Sequence, residues 1–243
     1  MSALATAGYL GIGALRDRAQ TVRTTARFDP PVLAGQNVPG PCSTGGFYAR
    51  LGQTVILTMA AHCAIATPGT AMRGSDGRLV GIFGAAAALP DCPDGRICAP
   101  ADIVSLELAP DRIPWGHLNL VDMGAGGYRT IADGTQALAC ADIHKGDRVE
   151  LNGRERFRTG TVLEVGPYEH PTDAIFPCMV VTDIEGGPGD SGAPVLANGQ
   201  PAGTVSRVIG RYVAFTPLAE GLENLGLVLC TTPDCSLSPD VSN

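Results

Sequence analysis

The sequence predicts an all-β chain built as two halves of about six short strands each, and three observations lead there. Gly (32) and Pro (19) are plentiful among 243 residues while charged residues are 17% and aromatics 5%, a balance that suits short strands and turns over long charged helices. Short apolar, β-branched runs recur from Phe47 onward, separated by turn signals such as SDG, PDG, ADG and ANG. The glycine-rich piece MGAGGYRTIADG, residues 123–134, then divides the runs into two sets of similar size.

Residues 1–41 contain FDPPVLAGQNVPGP, whose four prolines fix an extended arm and cannot form a core strand or helix. In the first half, 42–125, TVILTMAAHC, RLVGIF and DIVSLEL read as strands. In the second, 126–243, RVELN, GTVLEV, FPCMVVTDI, APVLA, PAGTVSRVI and RYVAFTPL do the same. Only PLAEGLENLG, 217–226, reads as helix: Pro217 suits a first turn, Leu218, Leu222 and Leu225 share a face, and Gly226 stops it.

Composition excludes several classes of partner. The net charge is −7 and the 17 Lys and Arg are scattered except around Arg148 to Arg158, so no basic stripe is available for a nucleic acid. The opening window SALATAGYLGIGAL is glycine-broken, lacks a basic leader and is too short to span a bilayer; it reads as neither membrane anchor nor signal peptide. The eight cysteines include no CxxC pair, so metal binding is not expected and disulfides are, which implies an oxidising compartment, secreted or periplasmic. Acidic loops such as DCPDG have no recognised calcium-ligand spacing.

The candidate chemistry lies in three short segments. His62 ends an apolar strand pattern at LTMAAHC, where Ala60 and Ala61 leave room for an imidazole to emerge. Its three fellows His117, His144 and His170 sit among loop or charged residues. Asp102 stands at the mouth of the strand in ADIVSLEL, where a carboxylate shielded from water can hold one imidazole tautomer. Ser191 follows Gly189 and Asp190 in IEGGPGDSGAPVL. Serine needs a base within about 2.6–3.2 Å to become a nucleophile, and a Gly-Asp-Ser turn can offer the N–H groups of Gly189 and Ser191 to a developing oxyanion. Taken singly, each of these residues is more often a turn former, cap or surface group; together they define a nucleophile, a base and an orienting acid.

In the order His, Asp, Ser, with 40 and 89 residues between them, LTMAAHC, ADIVSLEL and GPGDSGAPV resemble the chymotrypsin-like (trypsin-like) serine endopeptidases. Subtilisin-like enzymes and α/β-hydrolases use other chain orders, and the hydrolase elbow G-x-S-x-G fails at Ala193. CSTGGF at 42–47 and the PGDSG loop resemble the bacterial, streptogrisin-like members most. The resemblance runs from about Cys42 to about Leu218 and implies two packed six-stranded antiparallel β-barrels with the site in the cleft between them, followed by the short helix. It makes His62 the base, Asp102 its orienting acid and Ser191 the nucleophile, with Gly189 and Ser191 as the oxyanion hole.

Further expectations follow from it. Cys42 and Cys63 match the family bridge that clips the histidine loop, worth roughly 3 kcal/mol on chain-entropy grounds. Cys92 with Cys98 and Cys230 with Cys235 are neighbours in sequence, and Cys140 with Cys178 remain. Six residues before the nucleophile, Glu185 falls where the trypsin group carries its specificity acid, which points to Lys or Arg before the cut. Ser206 resembles the segment that pairs with substrate backbone, and Arg207 and Val208 replace the usual aromatic and glycine, narrowing the outer pocket. No Arg or Lys followed by Ile-Val-Gly-Gly is present, so Asp190 needs an internal cation, for which Arg154 in NGRERF is the candidate. The expected function is therefore a cofactor-free, monomeric endopeptidase acting on protein or peptide, without nucleic acid or membrane. The rivals are a catalytically silent binding or structural protein on the same fold, and an esterase.

Overall fold

The computed structural model describes residues 33–36, 45–63, 68–74, 76–89, 97–153, 156–169 and 174–236. It is all-β with one short helix. The first sheet begins with the hairpin of β1 (Tyr48–Leu51) and β2 (Thr54–Met59), whose two-residue turn is made possible by Gly52 at φ +58°. β3 (Ala71–Arg73), β4 (Leu79–Ala86) and β6 (Val104–Leu108) follow. β2 pairs with β6 on one side and β6 with β4 on the other, so TVILTM and VSLEL, the most continuously apolar runs of this half, lie at the centre of the sheet. Phe47, Tyr48, Leu57, Met59, Ile103 and Leu106 are buried beneath it.

The second sheet contains β9 (Arg148–Gly153), β10 (Arg156–Glu169), β11 (Ala174–Glu185), β12 (Pro194–Ala197), β13 (Gln200–Ile209) and β14 (Tyr212–Pro217). Their order is β10, β9, β12, β13, β14, β11, and β11 pairs back onto β10, so six antiparallel strands close into a barrel with no free edge. Val149, Leu151, Val180, Val195, Val205, Val213 and Phe215 fill it. The β12–β13 turn is Asn198-Gly199, with φ of +50° and +81°, the left-handed pair that a two-residue hairpin requires and that the sequence signal ANG provides.

Each half also lends a short strand to the other's sheet. β5 (Ile97–Cys98) pairs in parallel with β11, and β15 (Val228–Leu229), near the C-terminus, pairs with β1. Between the sheets β7 (Leu120–Asp122) and β8 (Tyr128–Thr130) form a hairpin through the glycine turn at 124–126. Of the proline-rich arm, residues 33–36 are described: Ala34 is buried and bridges Val121, and the Gln36 amide donates to Asp122. The expected helix is α1 (Leu218–Asn224), with Pro217 as its N-cap, Leu218 and Leu222 buried, and Gly226 at φ +64° just after it.

Cys140–Cys178 and Cys230–Cys235 are disulfides, with Cα separations of 6.2 and 4.6 Å. Cys63 and Cys98 are also disulfide-bonded, while Cys42 and Cys92, their expected partners, lie outside the described residues. Among the described residues no helix is long and apolar enough to cross a membrane.

Candidate active site

Strand pairing brings the first two site residues together. Met59 at the end of β2 lies opposite Val104 at the start of β6, so the chain leaving β2 and the chain entering β6 emerge at the same edge. His62 sits in the 3-10 turn Ala61–Cys63, and Asp102 two residues before Val104. The Ala61 N–H donates to the Asp102 carbonyl at 3.2 Å, and the His62 N–H donates to Asp102 Oδ1 at 3.0 Å. His62 Nδ1 is 2.6 Å from Asp102 Oδ2. The carboxylate accepts at both oxygens, which fixes the imidazole with Nε2 outward.

The second sheet supplies the rest. Ser191 lies in the tight turn leading into β12, and its Oγ is 3.0 Å from His62 Nε2. Ser206 on β13 donates its hydroxyl to Asp102 Oδ2 at 2.5 Å, and Thr216 on β14 accepts the Asp102 N–H at 2.9 Å. Asp102 is therefore held by both sheets. Its side chain is only 4% exposed, against 40% for His62, so the acid is shielded while the imidazole edge faces the cleft. Burial pushes the Asp102 carboxyl up, but the hydrogen bond and charge of His62, the Ser206 hydroxyl and the His62 N–H outweigh it and hold it below the usual carboxylate range.

The nucleophile turn is pinned on several sides. Gly192 N–H donates to Val205 O, Ala193 N–H to Asp190 O, and Gly187 N–H to the Asp190 carboxylate. Gly189 has φ +94°, a conformation glycine adopts without strain. The Ser191 N–H donates to none of the described residues. Asp190 is 4% exposed, and its partner is Arg158 on β10: Nη1 donates to Oδ2 at 2.9 Å and Nη2 to Oδ1 at 2.5 Å, a two-pronged pair, while Nη1 also reaches the Glu185 carbonyl at 2.6 Å. Arg154, the cation expected from sequence, lies outside the described residues; Arg158 meets the need. The clustering of arginines between 148 and 158 was the available signal, and alternation along β10 decides which of them points inward.

A cavity of about 370 Å³ opens beside Ser191, between the loop at 186–188 and β13, with Val205, Arg207 and Val208 along its wall. Val208 stands so close to Gly186 that a Cβ there would lie 2.6 Å from its Cγ2. Glu185 is elsewhere: its side chain is 73% exposed, 3.5 Å from Arg211, and it does not line this cavity. His117 and His144 are exposed loop residues remote from the triad elements, and His170 lies outside the described residues.

Two antiparallel β-sheets that bring His, Asp and Ser to one cleft are the architecture of chymotrypsin-like bacterial serine proteases, and this chain has that fold. Among solved structures it is similar to a glutamic acid specific serine protease described as using a histidine triad in substrate binding, at 22% identity and a TM-score of 0.63 over 82% of this chain and 100% of that one. It is similar also to Cellulomonas bogoriensis chymotrypsin, at 20% identity and TM-score 0.59 over 83% and 100% of the two chains, and to Thermobifida fusca protease A, at 22% and 0.61 over 82% and 98%. No protein-family model and no curated protein matches the sequence.

Proposed function

We propose that the chain is a serine endopeptidase that cleaves peptide bonds through an acyl-enzyme on Ser191. The observation that carries this is the unbroken line Ser191 Oγ, His62 Nε2, His62 Nδ1, Asp102 Oδ2, with spacings of 3.0 and 2.6 Å across its two hydrogen bonds. With Nδ1 protonated and donating to Asp102, neutral His62 presents a lone pair at Nε2. As Ser191 Oγ attacks the substrate carbonyl, its proton passes to Nε2, and the imidazolium that forms is stabilised by a carboxylate kept ionised and dry. The N–H groups of Gly189 and Ser191 stabilise the oxyanion. Collapse returns the proton to the leaving amine and leaves an ester on Ser191. Water then repeats the cycle, giving up its proton to His62 and releasing the acid. No cofactor enters.

A Lys or Arg preference at the residue before the cut draws on Glu185 alone, and the position of that carboxylate beside Arg211 lends it no help. The disulfides support work in an oxidising compartment outside the cytoplasm.

The test is labelling by a fluorophosphonate probe with protein sequencing of the modified site, followed by cleavage of a denatured protein substrate. Modification at Ser191, its loss in Ser191→Ala and peptide cleavage are expected. Absence of labelling under native, oxidised conditions refutes the reading in favour of a silent binding protein, and ester turnover without peptide cleavage favours an esterase.

A further inference from the structure

We infer that Arg207 makes the cavity beside Ser191 a site for an acidic side chain, so that the enzyme cuts next to Glu or Asp; this rests on the endopeptidase reading above. The cavity wall carries two formal charges among its lining residues, Asp190 and Arg207. The Asp190 carboxylate is buried and already accepts two hydrogen bonds from Arg158 and one from the Gly187 N–H, so its charge is compensated from within the fold. The rest of the wall is glycine, proline and valine apart from Ser191 itself. The charge that a substrate entering the cavity meets is therefore positive.

Arg207 is also held in a way that suits recognition. It sits on β13 one residue after Ser206, which bonds Asp102, so its backbone is tied to the triad. Its guanidinium lies 4.8 Å from the ring centre of Tyr168 and 5.1 Å from that of Phe176, and Nη1 is 3.3 Å from the Tyr168 hydroxyl. Stacking on two rings fixes the plane of the fork while leaving the charge intact, because arginine stays protonated throughout the pH range of peptidase activity. A planar fork on a rigid platform matches a carboxylate, with its two oxygens in one plane, better than it matches an amide. The same charge opposes a lysine or arginine side chain. Glu185, the one acid placed near the cavity by sequence counting, faces solvent and Arg211 instead.

The experiment is a peptide library randomised over the residues flanking the cut, followed by matched quenched peptides carrying Glu, Gln, Leu or Lys at the selected position. Ser191 labelling by the fluorophosphonate is run in parallel. The expected results are enrichment of Glu or Asp on the acyl side and a kcat/KM for Glu about tenfold or more above that for Gln, the range of a charge-assisted hydrogen bond. That ratio should shrink as salt is raised. In Arg207→Leu it should fall towards unity, and in Arg207→Lys, which keeps charge without the fork, it should be intermediate. Because the ratio is internal to each protein, a general loss of activity does not imitate the effect. If Arg207→Leu does not fold by circular dichroism, the Arg207→Lys ratio and the salt dependence of the parent decide. Labelling of Ser191 with a neutral or basic preference overturns the inference and leaves the endopeptidase reading standing. A Glu to Gln ratio unchanged in Arg207→Leu overturns the assignment to Arg207. No labelling and no cleavage overturn both.

Discussion

Replacing Arg158 by leucine should destabilise the protein more than any other single change at the site, by roughly 3–5 kcal/mol. The magnitude follows from what is left behind. Asp190 is 4% exposed and takes two of its three hydrogen bonds from the guanidinium; without Arg158 only the Gly187 N–H remains to a carboxylate that water cannot reach. The Glu185 carbonyl loses a donor as well. For a chain of this size, about 2–4 °C per kcal/mol converts the loss into a fall in Tm of roughly 6–20 °C. Since Asp190 adjoins Ser191, fluorophosphonate labelling should slow in the same variant. The assay is calorimetry or urea unfolding on the oxidised protein, with Arg158→Leu, Asp190→Asn and the double substitution compared. The pair should couple: the double variant should lose less than the two singles added together, because removing both charges avoids an orphaned one. A loss below about 1 kcal/mol for Arg158→Leu, the value typical of an exposed ion pair, would refute the reasoning.

Three other changes test the site and the barrel. Asp102→Asn should lower kcat by about 10³–10⁴ with little change in KM, since the amide favours the wrong imidazole tautomer. Because the Asp102 carboxyl is held below its ordinary value in the folded state, its contribution to stability is complete above the unfolded value near 3.8 and is lost as pH falls below it; urea midpoints between pH 5 and 2 should show that extra acid slope in the parent and not in Asp102→Asn. Ser206→Ala removes a hydrogen bond to a charged acceptor, about 1.5–3 kcal/mol in such cases, and should reduce kcat while weakening the depression of the Asp102 carboxyl, read as a shallower acid slope in the same titration. Gly203→Ala should cost about 1–3 kcal/mol in unfolding experiments, because a Cβ there would run into the Phe215 ring and the Thr216 carbonyl inside the barrel.

The strands legible in sequence were those whose pairing partners lie on both sides. TVILTM, VSLEL, PVLA and YVAFTP are apolar runs that become β2, β6, β12 and β14, each flanked by two neighbours. The short strands β5, β7, β8 and β15 were not read, because two or three residues carry no period, and their existence depends on what the tertiary fold lays beside them. The same distinction runs through the site. The triad could be read because its residue types and order are unusual together. The cation for Asp190 could not be fixed from composition, since choosing Arg158 over Arg154 or Arg156 depends on the facing of one strand in a closed barrel. Glu185 shows the opposite error: counting back from Ser191 finds the position on the chain, but the end of β11 turns that side chain outward to Arg211.

The location of Asp102 explains why the two sheets have to act as a unit. The residue belongs to the first sheet by sequence, two positions before β6, yet its side chain receives the Ser206 hydroxyl and its N–H is received by Thr216, both on strands of the second barrel. His62 follows Asp102, whereas Ser191 follows β12 and the Arg158–Asp190 pair. Any opening of the cleft would therefore have to break either the Asp102 bonds, exposing a buried carboxylate, or the 3.0 Å contact between His62 and Ser191, which is the weaker and more exposed of the two. Of these the second is far less costly, so relative motion of the sheets is taken up between base and nucleophile and leaves the base with its acid. The imidazole then keeps its tautomer whether or not the serine is engaged, and each turnover begins with a base already oriented.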